Sequence, residues 1–507
     1  MNGWPLLMFL GALLVRWGGA WLNSANLLDN TRQYGPPLMA RLDGNSWLAA
    51  QPQVEYFADA APRLYQGLVE LAARVLHLSM VPTTKLLAAL ELLPLLLLVW
   101  LLAGCVLEDR WRRVLLALLL AANAIFSNLV LTGTPRDLGT LLLLAVMLGT
   151  LRGALGSTLV CLVLLAGAYP TFGVLALLTL LLAGLLNRWG PLAAPRAPAS
   201  SDRSGRWWAW FWGLGPSLAA LLGLRLLGPH LSASRWGPTF RLFEPGHFGV
   251  LALPHAIAAG DLGPSVASLM GFQPTPQALI ALLNDKRFRP LPASGQHAFG
   301  WLADPASLLL IGLAVAIGVL IWPPGRGVLA RLRRRASECW REVLRSRPDA
   351  LRLLTALLLA GVLLYGLSFA LAFRLHDPSR YLMVPSLLLL SGVSWGLLSL
   401  LMRGRWRRWL PLLLAVLLPL LRAPVDLVPF NQAAVSVVRS HVQPGLDQVL
   451  LPVDGRSGSL AAALPVAAGV RVFYAEELDR GFQRQAIVDG LRLRRTQASL
   501  LAALQRG

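Results

Sequence analysis

The stretch RLHDPSRY, residues 374–381, places Arg374, His376, Asp377, Arg380 and Tyr381 in a gap between two long apolar runs. A second gap, TGTPRD at 132–137, carries Arg136 and Asp137. Guanidinium forks bind phosphate bidentately, and a carboxylate close by can take a proton from an acceptor hydroxyl. Carboxylates for that second task lie early in the chain, at Asp29, Asp43, Glu55 and Asp59. Such a set suits a lipid-linked phosphate, whose anionic group sits at headgroup level. The same residues also suit a plainer role. Pro135-Arg136-Asp137 reads as a helix start, with proline in the turn and aspartate at the positive end of the dipole. His376-Asp377-Pro378-Ser379 reads as a turn and cap, with Arg380 paired to Asp377 or snorkelling to headgroups.

Other chemistry is not signalled. Gly455-Arg456-Ser457-Gly458-Ser459 lacks the G-x-S-x-G spacing of a nucleophile elbow. The seven histidines never fall in metal-ligand pairs at helical spacing, and there is no Gly-rich phosphate loop. Cys105, Cys161 and Cys339 are widely separated and read as small hydrophobes. The sequence therefore calls for no cofactor and names no metal ligands.

The elements that must position these residues follow from hydropathy. Of 507 residues, 56% are hydrophobic and 14% charged, and Leu-rich blocks such as LLPLLLLVWLLAG recur. A bilayer crossing takes ~20 apolar residues, so the chain reads as an integral membrane protein. Spans are expected at about 4–21, 86–107, 113–132, 137–151, 154–168, 172–187, 207–228, 303–322, 351–373, 382–402 and 409–422, roughly 11 in all. The N-terminus lacks a basic n-region and a cleavage site, so it reads as a retained first span.

The net charge of +21 would point to nucleic acid in a soluble domain. Here the arginines gather in short loops, at 110–113, 188–206, 326–352 and 403–408, as the positive-inside rule requires. Those loops become cytoplasmic, and no recognition module supports a nucleic-acid partner. The N-terminus is then inside, the C-terminus outside, and the polar segments 22–85, 229–302 and 423–507 share the outer face with the two arginine-bearing gaps. This topology needs the run 154–187 to turn outside at AYPTFG, residues 168–173; a single kinked span would invert everything upstream.

Three polar segments carry their own signals. PRLYQGLVELAARVLHL, in the first outer loop, has helical amphipathic spacing and reads as a helix lying on the membrane surface. The linker at 191–206 is rich in Pro, Ser and Arg. QVLLPVDG and GVRVFYAEEL read as two short strands around a helix near 457–467, with a helical tail through Leu500. The organisation expected is a transmembrane domain, 1–422, and an extracytoplasmic α/β module, 423–507. No internal repeat is evident.

PRLYQGLVELA, TTKLLAALELLPLLL, TGTPRDLG, GAYPTFG and HDPSRY, with a retained first span and a large acidic first outer loop, resemble the GT-C superfamily of polyprenyl-phosphate-sugar-dependent glycosyltransferases. The likeness is to uncharacterised bacterial membrane proteins related to that superfamily. It implies an all-α polytopic fold, a carboxylate in the first outer loop as catalytic base, and basic residues holding the lipid phosphate. On this chain that makes Asp43 the first choice of base, with Asp29 and Asp59 behind it, and Arg136 and Arg380 the phosphate ligands. The acidic pair often seen just beyond the first span is absent, Asp29 and Asp43 being single and separated. Some members use a divalent metal, so the resemblance admits one, although no D-x-D occurs here. The implied protein sits in the cytoplasmic membrane, with the bilayer and a polyprenyl-phosphate-linked sugar as partners. A transporter or flippase for a lipid-linked or anionic substrate, or an inactive scaffold of the same architecture, are the rival readings. Charges within spans are few (Arg16, Glu91, Arg225), which favours the enzyme over the transporter.

Overall fold

The structure is a computed structural model. It describes residues 3–22, 26–28, 31–44, 54, 58–59, 61–189, 202–229, 348–371, 380–399, 402, 406–421, 427–429, 432–442, 448–449, 464 and 471–472. Outside them lie Asp29, Glu55, Arg374, His376 and Asp377, the expected span at 303–322, all but the first residue of the segment 229–302 expected on the outer face, and nearly all of the expected C-terminal helix and tail.

Helices occupy every other expected span. They are α1 (Trp4–Leu22), α4 (Met80–Leu90) continuing as α5 (Leu92–Val106), α6 (Arg110–Phe126), α7 (Pro135–Leu151), α8 (Leu155–Ala168), α9 (Pro170–Trp189), α10 (Asp202–Leu227), α11 (Pro348–Leu371), α12 (Arg380–Ser399) and α13 (Trp406–Leu421). Between α1 and α4 lie β1 (Asn26–Leu28), α2 (Thr31–Leu42) and α3 (Arg63–Leu76). After α13 come β2 (Leu427–Pro429), α14 (Gln432–His441), β3 (Gln448–Val449) and β4 (Arg471–Val472). Trp4–Leu22, Met80–Val106 and Arg380–Ser399 are long and apolar enough to cross a membrane, with shorter apolar helices beside them. These are the helices of a membrane protein.

The core sits around α6. Asp109 caps this helix, its carboxylate accepting the N–H groups of Trp111 at 3.1 Å and Arg112 at 2.9 Å. From Val114 to Phe126 it is buried on nearly every side, which marks a central element. It stops at Phe126, earlier than the expected span end, because Asn128, Leu131 and Gly133 all take positive φ and turn the chain. Phe9 of α1 packs edge-on to Phe126 at 6.3 Å between ring centroids. Large apolar side chains on the rim face outward, Val15, Leu93 and Leu97 among them. In a bilayer that surface meets lipid rather than water.

Helices α8 and α9 form a sharp corner. The chain leaves helical geometry at Tyr169, and a Cβ on Gly173 would lie 2.7 Å from the Ala166 Cα. Residues seven apart on one continuous helix could not approach so closely. The chain therefore doubles back here.

The sheets are small. β1 pairs antiparallel with β2, Leu27 opposite Val428, which ties the segment after α1 to the segment after α13. β3 pairs parallel with β4, Gln448 opposite Arg471, inside the two segments expected to form strands.

Two hydrogen bonds fix the direction of α12. Trp395 Nε1 donates to the Arg112 carbonyl near the start of α6, and Asn123 near its end donates to Ser391 Oγ at 2.9 Å. The helices thus run antiparallel, and the start of α12 lies where α6 gives way to the 127–134 turn. Arg407 bonds Asp109 at the opposite end of the bundle. One end carries Asp109 and its neighbouring arginines; the other carries the first loop, the 127–134 turn and Arg380.

Candidate functional site

At this second end the turn before α7 is built on Asp137. One carboxylate oxygen accepts the N–H of Thr132 at 2.6 Å and of Gly133 at 2.7 Å, and the other accepts the Thr132 hydroxyl. Pro135 takes the first helical position, where a missing N–H costs nothing. Asp137 is fully buried, so the expected helix start is realised and the carboxylate is occupied by its own loop. Arg136 is left partly exposed beside it, with a buried Nε that makes no hydrogen bond among the described residues. Its guanidinium lies close enough to Asp137 to interact electrostatically.

The segment between α1 and α4 meets this turn through α3. Tyr65 donates its hydroxyl to the Gly133 carbonyl at 2.6 Å. The next residue, Gln66, donates to the carbonyls of Ala58 and Ala61, both at 2.7 Å, and accepts from Arg41. Arg41 also pairs with Glu70 at 2.8 Å. The helix ends at His77, whose left-handed backbone returns its N–H to the Ala73 carbonyl. Along α3 one stripe, Tyr65, Gln66, Val69 and Ala73, is buried, while Leu68, Leu71 and Val75 form a second, exposed apolar stripe. The latter is the geometry of a helix resting on a membrane surface.

Asp43 lies just beyond α2 and accepts the Met80 N–H at 3.2 Å, at the entry to α4. It is half-buried; desolvation raises its carboxyl above the ordinary value, and the Met80 N–H partly offsets that. Asp59 is partly exposed, between the Ala58 and Ala61 carbonyls that Gln66 holds. Of the second arginine-bearing gap, Arg380 and Tyr381 are described. Tyr381 is fully buried in the core against α11, where a Cβ on Gly361 would come within 2.9 Å of its carbonyl oxygen. Arg380 is partly buried at the first position of α12.

Sequence reasoning missed Tyr65 and Gln66, and it treated Glu91 only as one of few charges within spans. Glu91 lies close enough to Asp137 for the two carboxyls to interact electrostatically. Among the described residues no group of three or more His, Cys, Asp or Glu side chains gathers as a metal site.

No protein-family model matches this chain. No curated protein matches it either. Among solved structures it is similar to the crystal structure of the Archaeoglobus fulgidus oligosaccharyltransferase in the apo form, at 12% identity and a TM-score of 0.46, with 94% of this chain and 65% of that chain covered.

Proposed function

We propose that this membrane protein is a glycosyltransferase that moves a sugar from a polyprenyl-phosphate donor to an acceptor at the extracytoplasmic face of the cytoplasmic membrane. Asp43 is the general base, with Asp59 and Asp29 next in order, and Arg136 and Arg380 grip the donor phosphate. Arg374, His376 and Asp377 are the further phosphate-binding residues beside Arg380, Asp137 holds the turn that presents Arg136, and Tyr381, buried in the core, anchors the start of α12 instead of meeting the donor. The observation that carries this reading is the Arg136 guanidinium, whose buried Nε makes no hydrogen bond among the described residues, at the end of the bundle where Tyr65 joins its turn to the acid-bearing loop. A guanidinium so held is ready for an anionic oxygen, and the half-buried Asp43 carboxylate is suited to take the acceptor's proton.

The test is purified protein supplied with radiolabelled polyprenyl-phosphate hexoses and pentoses, with and without a chelator. A labelled product that Asp43→Ala and Arg380→Ala abolish, while both variants insert normally, supports the reading. No product from any donor sinks it.

Glu91, an acid inside the long apolar helix Met80–Val106, favours a second reading, because ionisable groups within membrane spans are usual in transport proteins. A transporter or flippase would move the lipid-linked substrate across vesicles without cleaving the sugar–phosphate bond. An inactive scaffold would do neither.

A further inference from the structure

Gln66 uses its whole amide. Both hydrogens are donated, to the Ala58 and Ala61 carbonyls at 2.7 Å each, and the oxygen accepts from Arg41. Only this orientation satisfies all three partners, because carbonyls cannot donate and a guanidinium cannot accept. The side chain is buried, 8% exposed, so these are fixed bonds rather than exchanging surface contacts. Its partners are informative by position. Arg41 stands two residues before Asp43, and Ala58 and Ala61 flank Asp59. One amide therefore holds the two described acid-bearing segments of the first loop against the same helix. Tyr65, its immediate neighbour, bonds the Gly133 carbonyl of the turn that leads into Arg136.

We propose that Tyr65 and Gln66 are positioning residues of the site. Gln66 sets where the carboxylates stand, and Tyr65 sets where the arginine-bearing turn stands relative to them. The inference rests on the glycosyltransferase reading for its catalytic consequence, but not for the joint itself. A base misplaced by about 1 Å can cost about a hundredfold in rate, so loss of Gln66 should act on kcat. Loss of the Tyr65 hydroxyl loosens the phosphate-gripping side and should act on donor KM. A leucine at 66 removes all three bonds. A glutamate keeps the acceptor for Arg41 and lacks the two donors, so it should free 58–61 while leaving 41–43 held. Asparagine, the shorter amide, should restore part of what leucine loses.

The experiment combines amide hydrogen exchange with steady-state kinetics on the full-length protein and its Gln66→Leu, Gln66→Glu, Gln66→Asn and Tyr65→Phe variants. Gln66→Leu is expected to speed exchange in 41–44 and 58–61 together, with 131–135 unchanged, and to lower kcat about a hundredfold at nearly constant donor KM. Tyr65→Phe is expected to do the converse, speeding exchange in 131–135 and raising KM. Should Gln66→Leu fail to fold, the Gln66→Glu and Gln66→Asn exchange patterns decide in its place. Exchange that rises evenly over the whole chain in every variant, or a Gln66→Leu protein with wild-type kcat and pH profile, overturns the proposal. The expected exchange pattern in a wild-type protein that transfers no sugar would leave the joint standing and remove the glycosyltransferase reading.

Discussion

Asp137 accepts the N–H of Gly133 at 2.7 Å, closing the turn across which the chain passes from α6 to α7. That turn is costly to form. Asn128 and Leu131 both hold positive φ without being glycine, and such residues cost on the order of 1 kcal/mol or more each. Burial of Leu129, Val130 and Leu131 offsets part of this, and the Asp137 carboxylate adds to it by meeting Thr132 and Gly133.

Replacing Asp137 by alanine strands two buried N–H donors, at about 1–3 kcal/mol each. The purified Asp137→Ala protein should therefore melt well below the wild type and transfer little sugar. Asp137→Asn keeps one acceptor oxygen and should fall between them. Equal melting temperatures for Asp137→Ala and wild type would show that the carboxylate does not hold the turn.

Asp43 gives a pH signature. Burial raises its carboxyl and the Met80 N–H only partly offsets the rise. The folded state then binds this proton more tightly than the unfolded chain, so its contribution to stability is greatest at low pH. That contribution is lost as pH rises from the ordinary carboxylate value through the folded one. A general base is idle while protonated, so transfer should climb across the same interval and level off above it. Asp43→Asn should lose transfer, and at neutral pH it should be at least as stable as the wild type, with the falling limb of stability removed. A pH–rate profile and denaturation at several pH values check both halves, and an unchanged rate profile in Asp43→Asn would dismiss Asp43 as the base.

The helices were legible in the sequence because their signal is local, a Leu-rich run between arginine-rich loops. The doubling-back at Tyr169 was legible as well, through Pro170 and Gly173 in an otherwise unbroken run. What joins the site was not. The amphipathic period of residues 63–76 announces a helix, yet it does not say which of two apolar stripes faces protein, and Gln66 looks like any polar residue of a wet face. Its burial depends on Arg41, 25 positions earlier, and on two carbonyls in a loop without a repeating pattern. The β1–β2 pairing escaped for the same reason, since three residues near the start of the chain meet three near position 428. Long-range polar contacts leave no periodicity to read.

Arg136 should act on donor affinity. A charge-assisted hydrogen bond contributes about 1.5–3 kcal/mol, or roughly ten- to a hundredfold in binding. Arg136→Ala is expected to weaken polyprenyl-phosphate binding by that factor and to leave the melting temperature nearly unchanged, since its Nε makes no hydrogen bond among the described residues. Arg136→Lys should recover little, because an ammonium offers a point charge in place of a planar fork. Titration of purified protein with polyprenyl phosphate in detergent reads this directly, and wild-type affinity in Arg136→Ala would remove the residue from the phosphate site.

Glycine spacing sets how closely α8 and α10 approach. A Cβ on Gly167 would fall 3.1 Å from the Gly223 carbonyl oxygen, and one on Gly223 would fall 2.9 Å from the Val163 Cα and closer still to its carbonyl oxygen. The obstacle is backbone, which cannot rotate aside as a side chain would, so small residues here let two helices meet where lipid offers no hydrophobic drive. Gly223→Ala should overpack this contact by about 1–3 kcal/mol and lower the melting temperature in detergent. Gly392, in α12, has open space where its Cβ would be. Gly392→Ala should be neutral or stabilising by up to ~1 kcal/mol, because alanine is the better helix former. Matching melting shifts for the two substitutions would mean that helix propensity, and not close backbone packing, governs both positions.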